Sequence, residues 1–389
     1  MKKRLRRFSG ISEGGLCMKF VDEYRDPAAA RYLLEQIHKL CDAPQRIMEI
    51  CGGHTHSIVR SGMEQVLPEA IKFVHGPGCP VCVTPIAKID QAIALARRPR
   101  TIIATYGDMV RVPGSSSSLL QEKAKGAHVK IVYSSLDAVR LAVENPDSEV
   151  VFFAVGFETT IPANGFSVIR AKQLGLTNFS MLSNHVLVPP VIRAVLDDPD
   201  VRIDAFLGPG HVSTIVGSQD YEFIPREYHR PVVISGFEPN DILESLFMIL
   251  KQRREGRCEV EVQYSRAVTK YGNPRAQDVV KEVFSPVEQE WRGIGAIAES
   301  GLSLRKELRA FDAYYKFHDW MPLPRPEEPC ECICGEITRG VKEPRECASF
   351  GTGCTPERPL GACMVSSEGT CAAYYRYQHV TIQTGGARD

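Results

Sequence analysis

At 389 residues the chain is long enough for two or three domains with their own cores, and 43% hydrophobic with 24% charged residues excludes disorder and a membrane-embedded class. Lys+Arg and Asp+Glu are equal at 47 each, which leaves no basic excess to hold nucleic acid or an anionic bilayer, so partners must be recognised by shape. No run approaches the roughly 18 apolar residues of a membrane-crossing helix.

The first seven residues are basic, but residues 9–15 are polar and glycine-rich where a signal peptide needs an apolar segment. Residues 1–17 therefore read as a loose extension on a cytoplasmic chain. Asp26-Pro27 opens a helix, with an N-cap carboxylate and proline at the first helical position, and Leu33, Leu34, Ile37 and Leu40 give it one apolar face. A short strand at residues 47–50 runs into Cys51-Gly52-Gly53-His54-Thr55-His56. Three more follow: residues 71–74 before Gly76-Pro77-Gly78-Cys79-Pro80-Val81-Cys82, residues 101–105 before Tyr106-Gly107-Asp108, and residues 129–133 before a helix near Ser135. Short apolar strands alternating with helical segments predict a parallel sheet covered by helices. Loops at the carboxyl ends of such strands are where open α/β sheets hold ligands.

From residue 151 the plan recurs. Residues 151–155 lead into Gly156-Phe157-Glu158-Thr159-Thr160, residues 203–207 into Gly208-Pro209-Gly210-His211-Val212-Ser213, and residues 232–235 into Gly236-Phe237-Glu238-Pro239. The matching order predicts an internal duplication in which Cys51 answers to Val155, His54 to Glu158, Cys79 to His211 and Cys82 to Thr214. The expected fold is α/β: two similar parallel-sheet domains, residues 18–140 and 141–245, around a cleft, and a third, mixed domain over residues 246–389 carrying an iron–sulfur cluster. No G-x-G-x-x-G follows a strand and no phosphate-loop motif is present, so neither a dinucleotide nor a phosphate-loop nucleotidase is implied.

Asn240 is the predicted cap of a helix that stops at Gly256, and residues 260–264 alternate like a half-exposed strand. Two helical stretches are expected, over residues 277–291 with an interruption at Pro286 and over residues 302–317. A proline-rich linker, residues 321–329, precedes a tail holding Cys330, Cys332, Cys334, Cys347, Cys354, Cys363 and Cys371, seven of the thirteen cysteines. Such a segment cannot build a core of its own and is expected to fold around a metal centre.

Thirteen cysteines in a reducing compartment point to metal binding or redox chemistry rather than to a disulfide scaffold. A Cys-x-x-Cys pair such as Cys79 and Cys82 closes into a disulfide, holds a metal or lowers a thiol pKa; the bland alternative is two small buried residues. Gly52 and Gly53 leave open space around Cys51, which favours a soft-metal ligand or nucleophile over a core cysteine. His54, His56, Glu158 and His211 are each equally capping or core residues taken singly, and their case rests on sharing one cleft. In the tail, steps of 7, 9 and 8 residues from Cys347 onward, with Cys334 thirteen before it, lack the paired knuckles of a zinc ribbon. They suit loops around a larger group such as [4Fe–4S] ahead of zinc or inert thiols. Cys17, Cys41 and Cys258 carry no assigned role.

Taken together, the Cys51–His56 and Gly76–Cys82 motifs, Gly156-Phe157-Glu158-Thr159-Thr160, Gly208-Pro209-Gly210-His211-Val212 and Cys363-Met364-Val365-Ser366-Ser367-Glu368-Gly369-Thr370-Cys371 closely resemble the HypD family of [NiFe]-hydrogenase maturation factors, from about Met18 to the end. The resemblance implies a cytoplasmic scaffold, rather than a conventional turnover enzyme, that helps build the Fe(CN)2CO group on a complex with a HypC-type chaperone, with cyanide brought by a HypE-type carrier charged by HypF. It makes Cys51 the iron-binding cysteine, Cys79 and Cys82 the redox-active pair, and the tail a [4Fe–4S] domain. The favoured ligands are Cys334, Cys347, Cys354 and Cys371, with Cys332 and Cys363 as substitutes. His54, Glu158 and His211 would move protons or hydrogen-bond the diatomic ligands. A monomer forming transient complexes fits the neutral charge. Two other classes are weighed against this: a stand-alone thiol-disulfide oxidoreductase with an iron–sulfur cluster, and a zinc-dependent hydrolase.

Overall fold

The computed structural model describes residues 24–321 and 331–384, with side chains to Tyr377; the expected extension 1–17, Cys17, Cys330 and all of the proline-rich linker after Met321 lie outside the described residues. Its strands are β1 (Gln45–Glu49), β2 (Ile71–His75), β3 (Thr101–Thr105), β4 (His128–Ile131), β5 (Glu149–Gly156), β6 (Phe179–Val186), β7 (Ala205–Pro209), β8 (Val232–Ser235), β9 (Val260–Val262), β10 (Phe284–Trp291) and β11 (Gly295–Leu304). The longer helices are α1 (Pro27–Leu40), α2 (Gly52–Arg60), α3 (Ile86–Ala96), α4 (Ser135–Glu144), α5 (Ile161–Gln173), α6 (Val188–Asp197), α7 (Pro239–Arg254), α8 (Pro274–Val283) and α9 (Thr370–Thr384). Strands and helices alternate through β9, so the chain is α/β as its pattern predicts.

The strands form two sheets. The first is parallel throughout in the order β2-β1-β7-β8-β9, and the second runs β10-β11-β6-β5-β3-β4, with β3 to β6 parallel and β11 antiparallel to both neighbours. This division crosses the break expected at residue 140. β1 pairs with β7, Ile47 opposite Ala205, and Arg46 N donates to Asp204 Oδ2 across 158 residues of chain at 2.8 Å. β3 leaves the first unit to pair with β5. The match of residues 47–50 to 151–155 also falls across the sheets, whereas β2 and β7 share one. Glycine-rich loops report the carboxyl end of a parallel strand, a position every such strand has, and so do not report which sheet the strand joins. Burial does: all five residues of β3 are buried, which needs a neighbour on each side, and the mostly exposed β4 takes the edge.

The region after residue 245 is distributed rather than separate. α7 begins at Pro239 with Glu238 as its cap, not Asn240, and packs with α1 over the first sheet, bringing Ile37 against Ile242 and Leu246. α1 itself is capped as predicted, Asp26 Oδ1 accepting from Ala28 N at 2.9 Å. The helix expected over 277–291 ends at Val283, and residues 284–291 are strand. From Ser285 onward they alternate with period two, Pro286, Glu288 and Glu290 outward and Trp291 buried, which is a strand signal, and Pro286 is tolerated because β10 is an edge. The helix expected over 302–317 is instead the end of β11 followed by two short turns of helix. The hairpin of β10 and β11 extends the second sheet through Leu302 opposite His185.

The cysteine tail docks back on the loops at the strand ends. Ala373 and Tyr374 of α9 pack on Val59 of α2, Arg111 donates to Val365 O at 2.8 Å, and Gly293 in the β10–β11 turn lies directly against Gly335, where neither position has room for a side chain. Among the described residues no helix is long and apolar enough to cross a membrane.

Candidate thiol and metal centre

Cys51 follows β1 as the extended N-cap of α2. Two glycine contacts set its surroundings. Gly52 N donates to Gly78 O at 3.0 Å, and a Cβ on Gly78 would come within 2.6 Å of Cys51 Cα, so the Cys51 loop and the Cys79 loop touch backbone to backbone. On the other side the backbone of Glu368 covers Gly52. Burial, then the carboxylates of Glu368 and Glu49, push the Cys51 thiol up to about 12, against the pull of the Gly53 and His54 N–H groups at the helix head. A thiol this reluctant to ionise is a poor free nucleophile, and it becomes a thiolate when a cation takes the place of its proton.

Glu49, fully buried at the end of β1, organises this turn. Its Oε2 accepts from Cys51 N at 2.8 Å, while Oε1 accepts from the Thr55 hydroxyl and pairs with His75 Nδ1 at 2.8 Å.

Cys79 and Cys82 are joined in a disulfide with Cα atoms 5.3 Å apart, at 5% and 1% exposure. Cys82 N donates to Cys79 Sγ at 3.2 Å, as the one-turn geometry of the loop before α3 dictates. The disulfide packs in one cluster with Cys334, Ile337, Cys354, Cys363, Met364 and Cys371.

The tail cysteines line a common cavity. Cys332, Cys334, Cys347, Cys354, Cys363 and Cys371 surround it, with Ile337, Phe350, Gly361 and Met364 as its apolar wall. Gly361 lies so close to the Cys332 sulfur that a Cβ, at 2.5 Å, would displace it, and it also packs on the Cys334 side chain. Burial first, and then Cys334, Cys354, Cys332 and Cys347, drive the Cys371 pKa far up, because these thiolates repel one another in an apolar setting. Positive charge in the cavity would relieve that repulsion. The sulfurs ring a space instead of meeting at a point: among the described residues no three His, Cys, Asp or Glu side chains converge at single-ion distance. An all-sulfur donor set around an apolar hollow suits a multi-iron cluster.

The remaining predicted residues occupy the strand ends around Cys51. His54 is buried, its Nε2 donating to Gly236 O at 2.9 Å, and desolvation keeps it neutral by lowering its pKa. Its Nδ1 has no partner. His211, exposed at the head of the short helix Gly210–Val216, is stacked 3.8 Å from the Phe237 ring, whose other face stacks on His54 at 4.6 Å. Glu158 serves a helix start, but that of α6 and not α5: Oε1 accepts from Val188 N at 2.9 Å. Burial pushes its pKa up to about 7, and Oε2 is unpartnered. His56 sits away from this group, its Nε2 3.2 Å from Tyr377 OH.

The residues missed in the sequence are Phe237, Glu49, His75 and Glu368. Glu49 and His75 did carry a signal, a charged or polar residue ending an otherwise apolar strand. Phe237 and Glu368 stand inside motifs quoted above, but nothing local marks them as neighbours of His54 and Gly52.

A family model for HypD, described as the hydrogenase formation hypA family, matches residues 28–378. The chain is 50% identical over 381 residues to the hydrogenase maturation factor HypD of Rhodobacter capsulatus, covering 95% of this chain and 99% of that protein. It is 50% identical over 370 residues to HypD of Rhizobium leguminosarum bv. viciae (92% and 96%), and 45% identical over 372 residues to HypD of Escherichia coli strain K12 (93% and 98%).

Proposed function

The chain belongs to the HypD family and takes part in hydrogenase maturation, and from that premise we propose that it is the redox-active scaffold on which the Fe(CN)2CO group is assembled. The observation that carries this is the contact of three sulfur sites: the Cys51 loop is hydrogen-bonded to Gly78, and the disulfide beside Gly78 packs on the tail cysteines.

Cys51 would hold the incoming iron, since a soft thiolate suits low-spin iron carrying cyanide and carbon monoxide. A carrier of the HypE type offers cyanide as a thiocyanate, and releasing it breaks an S–C bond at the cost of two electrons. The reduced pair Cys79 and Cys82 supplies both: the two thiols become the disulfide, one proton goes to the carrier sulfur, the other is released, and cyanide stays on iron. The disulfide state is then the spent form of the loop. Cys334, Cys347, Cys354 and Cys371, with Cys332 and Cys363 as substitutes, would hold a [4Fe–4S] cluster, which supplies electrons one at a time. Glu158, protonated up to about pH 7, and the neutral His54 and His211 would hydrogen-bond the diatomic ligands or hold the proton near them. The scaffold would work in the cytoplasm as a monomer, with a HypC-type chaperone completing the iron site.

The test is infrared spectroscopy of the anaerobically purified complex with the HypC-type chaperone. Cyanide and carbonyl stretches are expected in the wild type and absent in Cys51→Ala. Bands that survive the substitution remove Cys51 from the iron site.

A further inference from the structure

One buried polar chain is left over from this chemistry. It starts at the backbone of Cys51, whose N–H donates to Glu49 Oε2 at 2.8 Å, and continues from Glu49 Oε1 to His75 Nδ1 at 2.8 Å. His75 Nε2 lies 3.1 Å from Tyr374 OH, and Tyr374 OH donates to Glu64 Oε1 at 2.9 Å. Glu49, His75 and Tyr374 are 0%, 6% and 4% exposed, so the bonds among these three side chains are shielded from water, while the Glu64 carboxylate at the far end is open to it. The segments they join are distant in sequence: β1, β2 and α9. The His75 and Tyr374 rings also meet edge to face at 5.5 Å, which fixes the phenol's direction.

Tyr374 is one helical turn beyond Cys371, which lines the tail cavity. A helix is stiff over one turn, so a sulfur pulled toward a bound group carries the phenol with it. One turn further on, Tyr377 OH lies 3.2 Å from His56 Nε2 of α2, the helix that Cys51 caps, so α9 grips the Cys51 turn at two heights.

Resting on the assembly reading above, we propose that Glu49, His75 and Tyr374 form a hydrogen-bonded strut that positions Cys51 and couples its placement to occupancy of the tail cysteine cavity. These are positioning residues: they act on Cys51 through its backbone and touch no reacting atom. The strut has a simple use. A Cys51 that is held in place only when the tail is loaded accepts iron only when the means of reducing the carried cyanide are present.

Iodoacetamide labelling of Cys51 in the full chain, read by mass spectrometry on its peptide, tests this without any iron–cyanide group. Half-buried Cys258 in the same molecule is the internal control. The disulfide is kept oxidised throughout, and each protein is measured as loaded with iron and sulfide and after anaerobic chelation. The wild type is expected to label at Cys51 at least fivefold more slowly when loaded. Tyr374→Phe, which removes one hydroxyl, should label fast in both states, with Cys258 unchanged; His75→Gln should do the same. Wild-type rates at Cys51 in a folded Tyr374→Phe, or a loaded-to-stripped difference that persists in it, overturn the proposal. If the wild type takes up no iron and sulfide, the cluster reading fails, and comparison of Tyr374→Phe with wild type in the metal-free chain still decides whether the strut positions Cys51.

Discussion

Gly78→Ala is the substitution that most directly tests whether the two sulfur loops must touch. The added methyl would lie 2.6 Å from Cys51 Cα and 2.5 Å from Ile50 C, whereas ordinary carbon contacts begin near 3.4 Å. Both obstacles are backbone, fixed by the β1–β2 and β1–β7 pairings, so no side chain can swing away. The loops must part by roughly 1 Å, which costs about 1–3 kcal/mol of stability as overpacking. A displacement of that size between reacting groups costs about 100-fold in rate. The assay is the rate at which cyanide bands grow in the anaerobic complex when carrier and reductant are added, alongside a denaturant midpoint. Gly107→Ala is the control, because its nearest neighbour is Ile131 Cγ2 at 3.8 Å and it should behave as wild type in both. A Gly78→Ala protein that folds and forms bands at the wild-type rate refutes the claim that the Cys51 and Cys79 loops act in contact.

Glu158 is raised to about 7 in the folded chain from an ordinary 4.5, so the folded state holds the extra proton between those values and stability falls as pH rises through that window. Unfolding free energies from denaturant melts at pH 5 and pH 7.5 should differ by about 2 kcal/mol more in the wild type than in Glu158→Gln. Phe237→Leu removes two ring stacks and is expected to cost roughly 1–3 kcal/mol, and NMR titration should show the His211 pKa, lowered by burial and then by His54, rising toward the ordinary imidazole range. Replacing Cys334, Cys347, Cys354 or Cys371 by Ala should abolish iron and sulfide uptake after anaerobic reconstitution, whereas Cys332→Ala and Cys363→Ala should retain it, with visible absorbance as the readout.

Of the strands up to β9 all but β6 were legible, because each is a short apolar run closed by glycine or a turn, whereas β6 (Phe179–Val186) mixes Ser, Asn and His into its buried run and went unread; the cysteine motifs stood out by spacing alone. What the sequence hid was long-range. Nothing near Ile47 says that its neighbour is Ala205, because parallel strand partners are chosen by which buried faces fit together, not by local pattern. The β10–β11 hairpin escapes the sequence for a different reason: Pro286 reads as a break in a helix, although the alternation from Ser285 to Trp291 has the period of a strand. Around the candidate site, the side chains proposed to carry chemistry were visible and those that hold them were not. Glu49 and His75 look like ends of ordinary strands until β1 and β2 are laid side by side, Glu49 opposite His75.

The pairing of β1 with β7 also bears on how the protein is made. A ribosome releases Cys51, Cys79 and Cys82 before the sheet that supports them can close, since it waits for a strand 158 residues downstream, and the α9 helix packed against the Cys51 turn emerges later still. Contacts of such separation form slowly and late. An unfinished chain thus exposes thiols before the proposed iron site is assembled, so on that proposal nothing is gained by loading metal before α9 has docked.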